Sequence, residues 1–132
     1  METLFPQLSE RDANQINMLA LAHVGDAVYE LLVRSMLCRE KNAPVMQLHR
    51  LTVEHVRAEA QAEAVQKLLP MLTDNELAVY KRGRNTKVNS ASKHSTLSDY
   101  HAATGMEALF GWLYLTGKTK RIEALFTAIT EE

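Results

Sequence analysis

Two carboxylates stand where ordinary surface charges would be out of place. Asp26 lies in the run Leu19-Ala-Leu-Ala-His-Val-Gly-Asp-Ala-Val-Tyr-Glu30, and Glu107 lies in Tyr100-His-Ala-Ala-Thr-Gly-Met-Glu-Ala-Leu-Phe-Gly-Trp-Leu-Tyr-Leu115. Aspartate disfavours helix interiors, and a carboxylate enclosed by apolar residues is costly to desolvate without a cation or hydrogen-bond donors. Glu107 is the only acid between Asp99 and Glu123, on a stretch apolar on nearly every side. Small residues one turn either side of it, Ala103 and Gly111, with Thr104 on the flank, would let another helix approach closely. If the helices carrying Asp26 and Glu107 pack at the usual separation of about 8–10 Å, both acids can converge on one ion. Hard oxygen donors without a histidine or cysteine cluster suit Mg²⁺, with Mn²⁺ as the alternative. A divalent ion on two carboxylates, completed by phosphate oxygens, is a phosphodiester-cleaving arrangement.

A second cluster offers a substrate contact. No acid occurs between Glu76 and Asp99, whereas Lys81, Arg82, Arg84, Lys87 and Lys93 are all basic, with Asn85 among them. Basic side chains on a serine-rich loop suit phosphate. A favourable charge at a helix C-terminus would also account for Lys81 and Arg82, but not for Lys87 and Lys93. Glu30 and Arg34 have the spacing of an exposed i,i+4 ion pair. His23 shares the face of Asp26 and reads as structural or as a substrate contact.

The elements that must position these residues are helical. A first long helix is expected from about Ile16 to Cys38, with Leu21, Val24, Val28, Leu31, Leu32 and Met36 as its core stripe. Its other face opens with Leu19 and closes with Val33 and Leu37. Pro44 to about His55 and Val56 to Leu69 read as two helices or one bent helix, ended by Pro70. Thr73 and Glu76 form a capping box for a helix that runs out over Lys81–Asn85. Thr86 to Ser98 is the one long loop. Ser98 or Asp99 starts the Glu107 helix, Gly117 stops it, and a last helix runs from Lys118 to about Thr130. No segment has strand periodicity, so the chain is read as all-α.

At 132 residues the chain suits one domain, 1–132, with 1–13 as a loosely attached lead-in. A net charge of −1 argues against a polyelectrolyte partner for nucleic acid, so any such site needs uneven charge placement. The single cysteine, Cys38, forms no internal disulfide; with no signal-peptide pattern and no membrane-length apolar run, a cytoplasmic setting is expected.

The Val-Gly-Asp-Ala-Val-Tyr-Glu and Met-Glu-Ala-Leu-Phe-Gly-Trp-Leu-Tyr-Leu motifs together resemble the ribonuclease III catalytic domain. The short chain, Lys-Arg-Gly-Arg-Asn and Ala-Thr-Gly-Met-Glu-Ala-Leu are most similar to the Mini-ribonuclease III family. The resemblance spans about Asn17 to Thr127. It implies a homodimeric, all-α, Mg²⁺-dependent endonuclease of double-stranded RNA that leaves 5′-phosphate and 3′-hydroxyl ends. It also implies a role in maturing the 23S ribosomal RNA precursor, with a ribosomal protein as an accessory partner. Asp26 and Glu107 match the family's metal-binding acids, and Glu30 is carried over only as a supporting residue. Two further acidic positions of full-length ribonuclease III are Ala22 and Thr104 here, which thins the metal shell. A separate double-stranded-RNA-binding domain is expected to be missing. The rival readings are a non-catalytic helical module binding structured RNA or a ribosomal partner, and a purely structural adaptor.

Overall fold

The computed structural model describes residues 7–87 and 96–131. Among these residues seven helices follow in order: α1 (Glu10–Ala13), α2 (Met18–Glu40), α3 (Val45–Val56), α4 (Ala58–Leu68), α5 (Asp74–Arg84), α6 (Leu97–Leu115) and α7 (Thr119–Thr130). A 3₁₀ turn over Leu69–Met71 accommodates Pro70 after α4. Among the described residues there is no strand.

Helix α6 is the axis. Thr96 caps it by accepting from the Asp99 N–H at 3.0 Å. From Ala103 to Leu113 every residue is buried except Glu107. A helix apolar all round must be surrounded, and α2, α4, α5 and α7 all pack on it. At its end Gly117 takes φ +74°, the left-handed conformation that lets the chain turn into α7.

Helix α2 starts where Asn17 accepts from the Ala20 N–H at 2.8 Å. Its buried stripe is Leu21, Ala22, Gly25, Val28, Tyr29, Val33 and Leu37, which corrects the stripe expected from the wheel. Leu31 is 52% exposed; Val24, Leu32 and Met36 are only partly buried. The helix is apolar on most sides, so hydrophobicity alone does not orient it. Close contact with α6 does: the smallest edge of α2 faces inward, and Val33 and Leu37 follow that edge into the core.

Helices α3 and α4 are separate, because Arg57 between them is extended (φ −67°, ψ 155°). The capping box at the start of α5 is present as the sequence suggests, with Thr73 N–H donating to Glu76 Oε1 at 2.9 Å and Glu76 N–H to Thr73 Oγ1 at 3.3 Å. Glu76 does more than cap. It is 4% exposed and receives Arg121 Nε and Nη2 from α7 at 2.8 and 2.9 Å.

The lead-in is better anchored than its polar sequence suggests, over the part described. Leu8 N–H donates to Leu115 O at 2.9 Å, Ala13 is fully buried, and Trp112 Nε1 donates to Asn14 Oδ1 at 2.9 Å. The indole N–H of a buried tryptophan needs an acceptor, and α1 delivers one.

Candidate active site

The site forms where α2 crosses α6. Neither helix carries a Cβ at the crossing. A methyl group on Gly25 would overlap the carbonyl oxygen of Glu107, and one on Gly111 would overlap that of Leu21. The two backbones therefore touch, and Asp26, next to Gly25, is brought beside Glu107. Their side chains lie within hydrogen-bonding reach of each other.

The electrostatics of the pair are adverse. Burial pushes the Glu107 carboxyl up to about 8, with the Asp26 charge and a hydrogen bond to Asp26 acting in the same direction and the Gln61 amide opposing them. Asp26 is exposed and Glu107 half-buried, so the partly desolvated Glu107 bears both the burial cost and the repulsion of its neighbour. A value near 8 favours the protonated form of Glu107 at neutral pH. A divalent cation is the group whose charge would reverse that balance.

Gln61 is the residue that sequence reasoning missed. It is 2% exposed, and its Nε2 donates to Val56 O at 2.8 Å across the break between α3 and α4. Its Oε1 is buried without a protein partner. The signal was present: Gln61, Ala64, Val65 and Leu68 form the i, i+3, i+4, i+7 buried face of α4, so a polar residue heads a core stripe. Gln61, Glu107, Thr104, Tyr100 and Arg57 line an open cleft of about 610 Å³ between α6 and the α3–α4 junction.

The remaining candidates are placed as follows. Glu30 pairs with Arg34 at 3.2 Å on the surface, and His23 is exposed. Ala22 and Thr104, where full-length ribonuclease III carries acids, are both buried; Thr104 Oγ1 donates to Tyr100 O at 2.9 Å. Among the described residues no group of three or more His, Cys, Asp or Glu is placed to hold a metal. Lys81, Arg82, Asn85 and Lys87 are exposed. Arg84 lies 5.7 Å from the Tyr80 ring centroid and donates from Nε to Asn85 Oδ1 at 3.1 Å. Gly83 seats this basic turn on α6, where an added Cβ would lie 2.8 Å from Ala108 Cβ and 3.4 Å from Thr104 O. The turn thus sits against the residues that flank Glu107. Lys93 lies outside the described residues. A second cavity of about 630 Å³, around Trp112 and Arg121, has internally matched charges: Arg121 holds Glu76, and Lys118 approaches Glu10 at 3.6 Å.

An all-α domain with paired carboxylates at a glycine-mediated helix crossing, flanked by a basic turn, has the makings of a metal-dependent phosphodiesterase. Residues 19–118 match the Ribonuclease III domain family. The chain is 37% identical to the Mini-ribonuclease 3 of Clostridium tetani over 93% of this chain and 82% of that protein. It is 46% identical to the Mini-ribonuclease 3 of Brevibacillus brevis over 85% of this chain and 84% of that protein. A Fusobacterium nucleatum protein of known crystal structure superposes with a TM-score of 0.84 at 25% identity, over 92% of this chain and 98% of that one. The chain belongs to the ribonuclease III family, in its Mini-ribonuclease 3 group.

Proposed function

We propose that this chain is an endoribonuclease that cuts double-stranded RNA with a divalent cation held by Asp26 and Glu107, Mg²⁺ first and Mn²⁺ as the alternative. The endoribonuclease class follows from family membership; the residue roles rest on the carboxylate pair. The observation that carries them is the enforced proximity of Asp26 and Glu107, with Glu107 held up to about 8 by burial and by its neighbour. The residues fit such an ion: two carboxylates offer hard oxygen donors, and a buried amide oxygen of Gln61 beside them has no protein partner. When bound, the cation would polarise the scissile phosphate and activate water. The chain's own part is to hold and orient the carboxylates, to release the Glu107 proton on loading, and to admit the backbone beside α6.

Lys81, Arg82, Arg84, Asn85, Lys87 and Lys93 are proposed to meet RNA phosphates, and A-form duplex is read mostly by shape. The substrate is proposed to be the 23S ribosomal RNA precursor, cut to 5′-phosphate and 3′-hydroxyl ends, with a ribosomal protein as accessory. A homodimer would match the two-fold symmetry of a duplex. Leu31, Val45 and Met46, at 52%, 77% and 72% exposed on α2 and α3, are apolar surface that a second copy would cover. No described helix is long and apolar enough to cross a membrane. The lone exposed thiol of Cys38 suits the proposed cytoplasmic location.

The test is cleavage of a duplex RNA in Mg²⁺ and in EDTA, with wild type and Asp26→Asn. Cleavage by wild type in Mg²⁺ alone, and loss in the folded variant, is the expected result. Full activity of Asp26→Asn would remove the carboxylate assignment. Duplex binding without cleavage under any metal would favour the non-catalytic module.

A further inference from the structure

The Gln61 amide has a fixed orientation. Its nitrogen faces the Val56 carbonyl at 2.8 Å, and turning the amide over would set two oxygens against each other. The same side chain lines the cleft together with Glu107. With the donor end committed, the acceptor end remains, buried and unpartnered in the cleft that Glu107 lines. A buried acceptor left unmet costs about 1–3 kcal/mol. An apolar residue at the head of the α4 stripe would avoid that cost, so the oxygen calls for a ligand.

We propose that Gln61 is a positioning residue of the cation site: its amide is anchored on Val56 O, and its Oε1 accepts from the hydration shell of the divalent ion held by Asp26 and Glu107. This rests on the metal reading above. It also addresses the thinness of the site. Two carboxylates leave most of a six-oxygen shell to water, and such water needs acceptors on the protein. Ala22 and Thr104 supply no carboxylate, whereas Gln61 brings a neutral oxygen from a third helix. A neutral acceptor adds no charge repulsion to two adjacent carboxylates. It also ties the ion to the α3–α4 junction through Val56, so loading should stiffen that junction.

The experiment is calorimetric titration of Mn²⁺, and separately Mg²⁺, into metal-free wild type, Gln61→Leu, Gln61→Glu and Asp26→Asn. Circular dichroism and thermal melts without metal establish that each variant is folded. Gln61→Leu is expected to bind Mn²⁺ about tenfold more weakly than wild type. Gln61→Glu, which keeps an oxygen there, is expected to bind at least as tightly as wild type and to gain more in melting temperature when Mn²⁺ is added. Folded Gln61→Leu binding within twofold of wild type, while Asp26→Asn is weakened, would overturn the Gln61 role alone. Gln61→Glu binding as weakly as Gln61→Leu would overturn the assignment to the oxygen. Equal binding by Asp26→Asn and wild type would instead overturn the underlying metal site.

Discussion

Gly25 meets the backbone of Glu107 with no room for a side chain: a methyl group at residue 25 would overlap the Glu107 carbonyl oxygen and stand 2.8 Å from the Gly111 nitrogen. The contact fixes more than packing. It sets which face of α2 turns inward, and it carries Asp26 to the side of Glu107. The acid pair is thus a consequence of two missing Cβ atoms, one on each helix.

Gly25→Ala is therefore expected to lose about 3 kcal/mol or more, because backbone on both helices must move apart. Gly111→Ala should behave alike, since its added methyl would overlap Leu21 O. Ala27→Ser, one residue beyond Asp26 and exposed, should stay within about 0.5 kcal/mol. Urea denaturation of the three variants checks this. A Gly25→Ala protein as stable as wild type would mean that the helices are not in contact at this point.

The Glu107 carboxyl gives a pH dependence of definite sign. Its folded pKa, raised to about 8 by burial and then by Asp26, exceeds its unfolded value near 4.5. Between those values the folded state holds more proton than the unfolded state, so stability of the metal-free protein should fall as pH rises from about 5 to about 8. Glu107→Gln, which mimics the protonated group, should flatten that slope. Denaturation at several pH values in EDTA measures it. A wild-type slope of opposite sign would show that other groups dominate the titration.

Most of the helical order was legible because it rests on local chemistry. Thr73 caps with Glu76 as their types suggest, and Gly117 turns the chain where a stop was expected. The rotation of α2 was not legible. A helix with leucine and valine on most sides gives no single stripe, and the deciding contact is between the backbones of Gly25 and Glu107, far apart in sequence. The same limit hid Gln61, whose significance lies in an oxygen that no neighbour meets. It also hid the second partner of Glu76: a capping box is local, whereas Arg121 arrives from the last helix. Residues 10–14 were underread because the anchor of Asn14 is an indole N–H on α6.

Two ion pairs allow a contrast. Burial raises the Glu76 carboxyl, but the Arg121 hydrogen bonds, the Thr73 N–H and the Arg121 charge outweigh it, leaving the group below its ordinary value of 4.5. Arg121 Nη2 also donates to Met71 O at 2.6 Å, so its loss would strand both a buried carboxylate and a turn. Arg121→Ala should cost about 3 kcal/mol, whereas Arg34→Ala, in the exposed pair with Glu30, should cost less than about 0.5 kcal/mol. The Glu76 contribution is present above the ordinary carboxylate range and is lost as pH falls through its lowered pKa. Thermal melts of both variants at pH 7 and pH 4 make the comparison. Equal losses at pH 7 would remove the distinction between buried and exposed pairs.

The basic turn lends itself to a salt titration. Arg82 and Lys87 are exposed, and Arg84 is steadied over Tyr80, with Gly83 pressing the turn onto α6 near Glu107. If these charges meet duplex phosphates, each releases counterions, and the slope of log affinity against log salt counts them. Replacing Arg82, Arg84 and Lys87 together with Ala should reduce the magnitude of that slope by about two to three. Cleavage per bound duplex should change far less, because Asp26 and Glu107 are untouched. Binding measured with Asp26→Asn as the background, from low to moderate salt, keeps the duplex intact during the titration. An unchanged slope in the triple variant would assign the phosphate contacts elsewhere, with Arg57 at the mouth of the cleft as the next residue to replace.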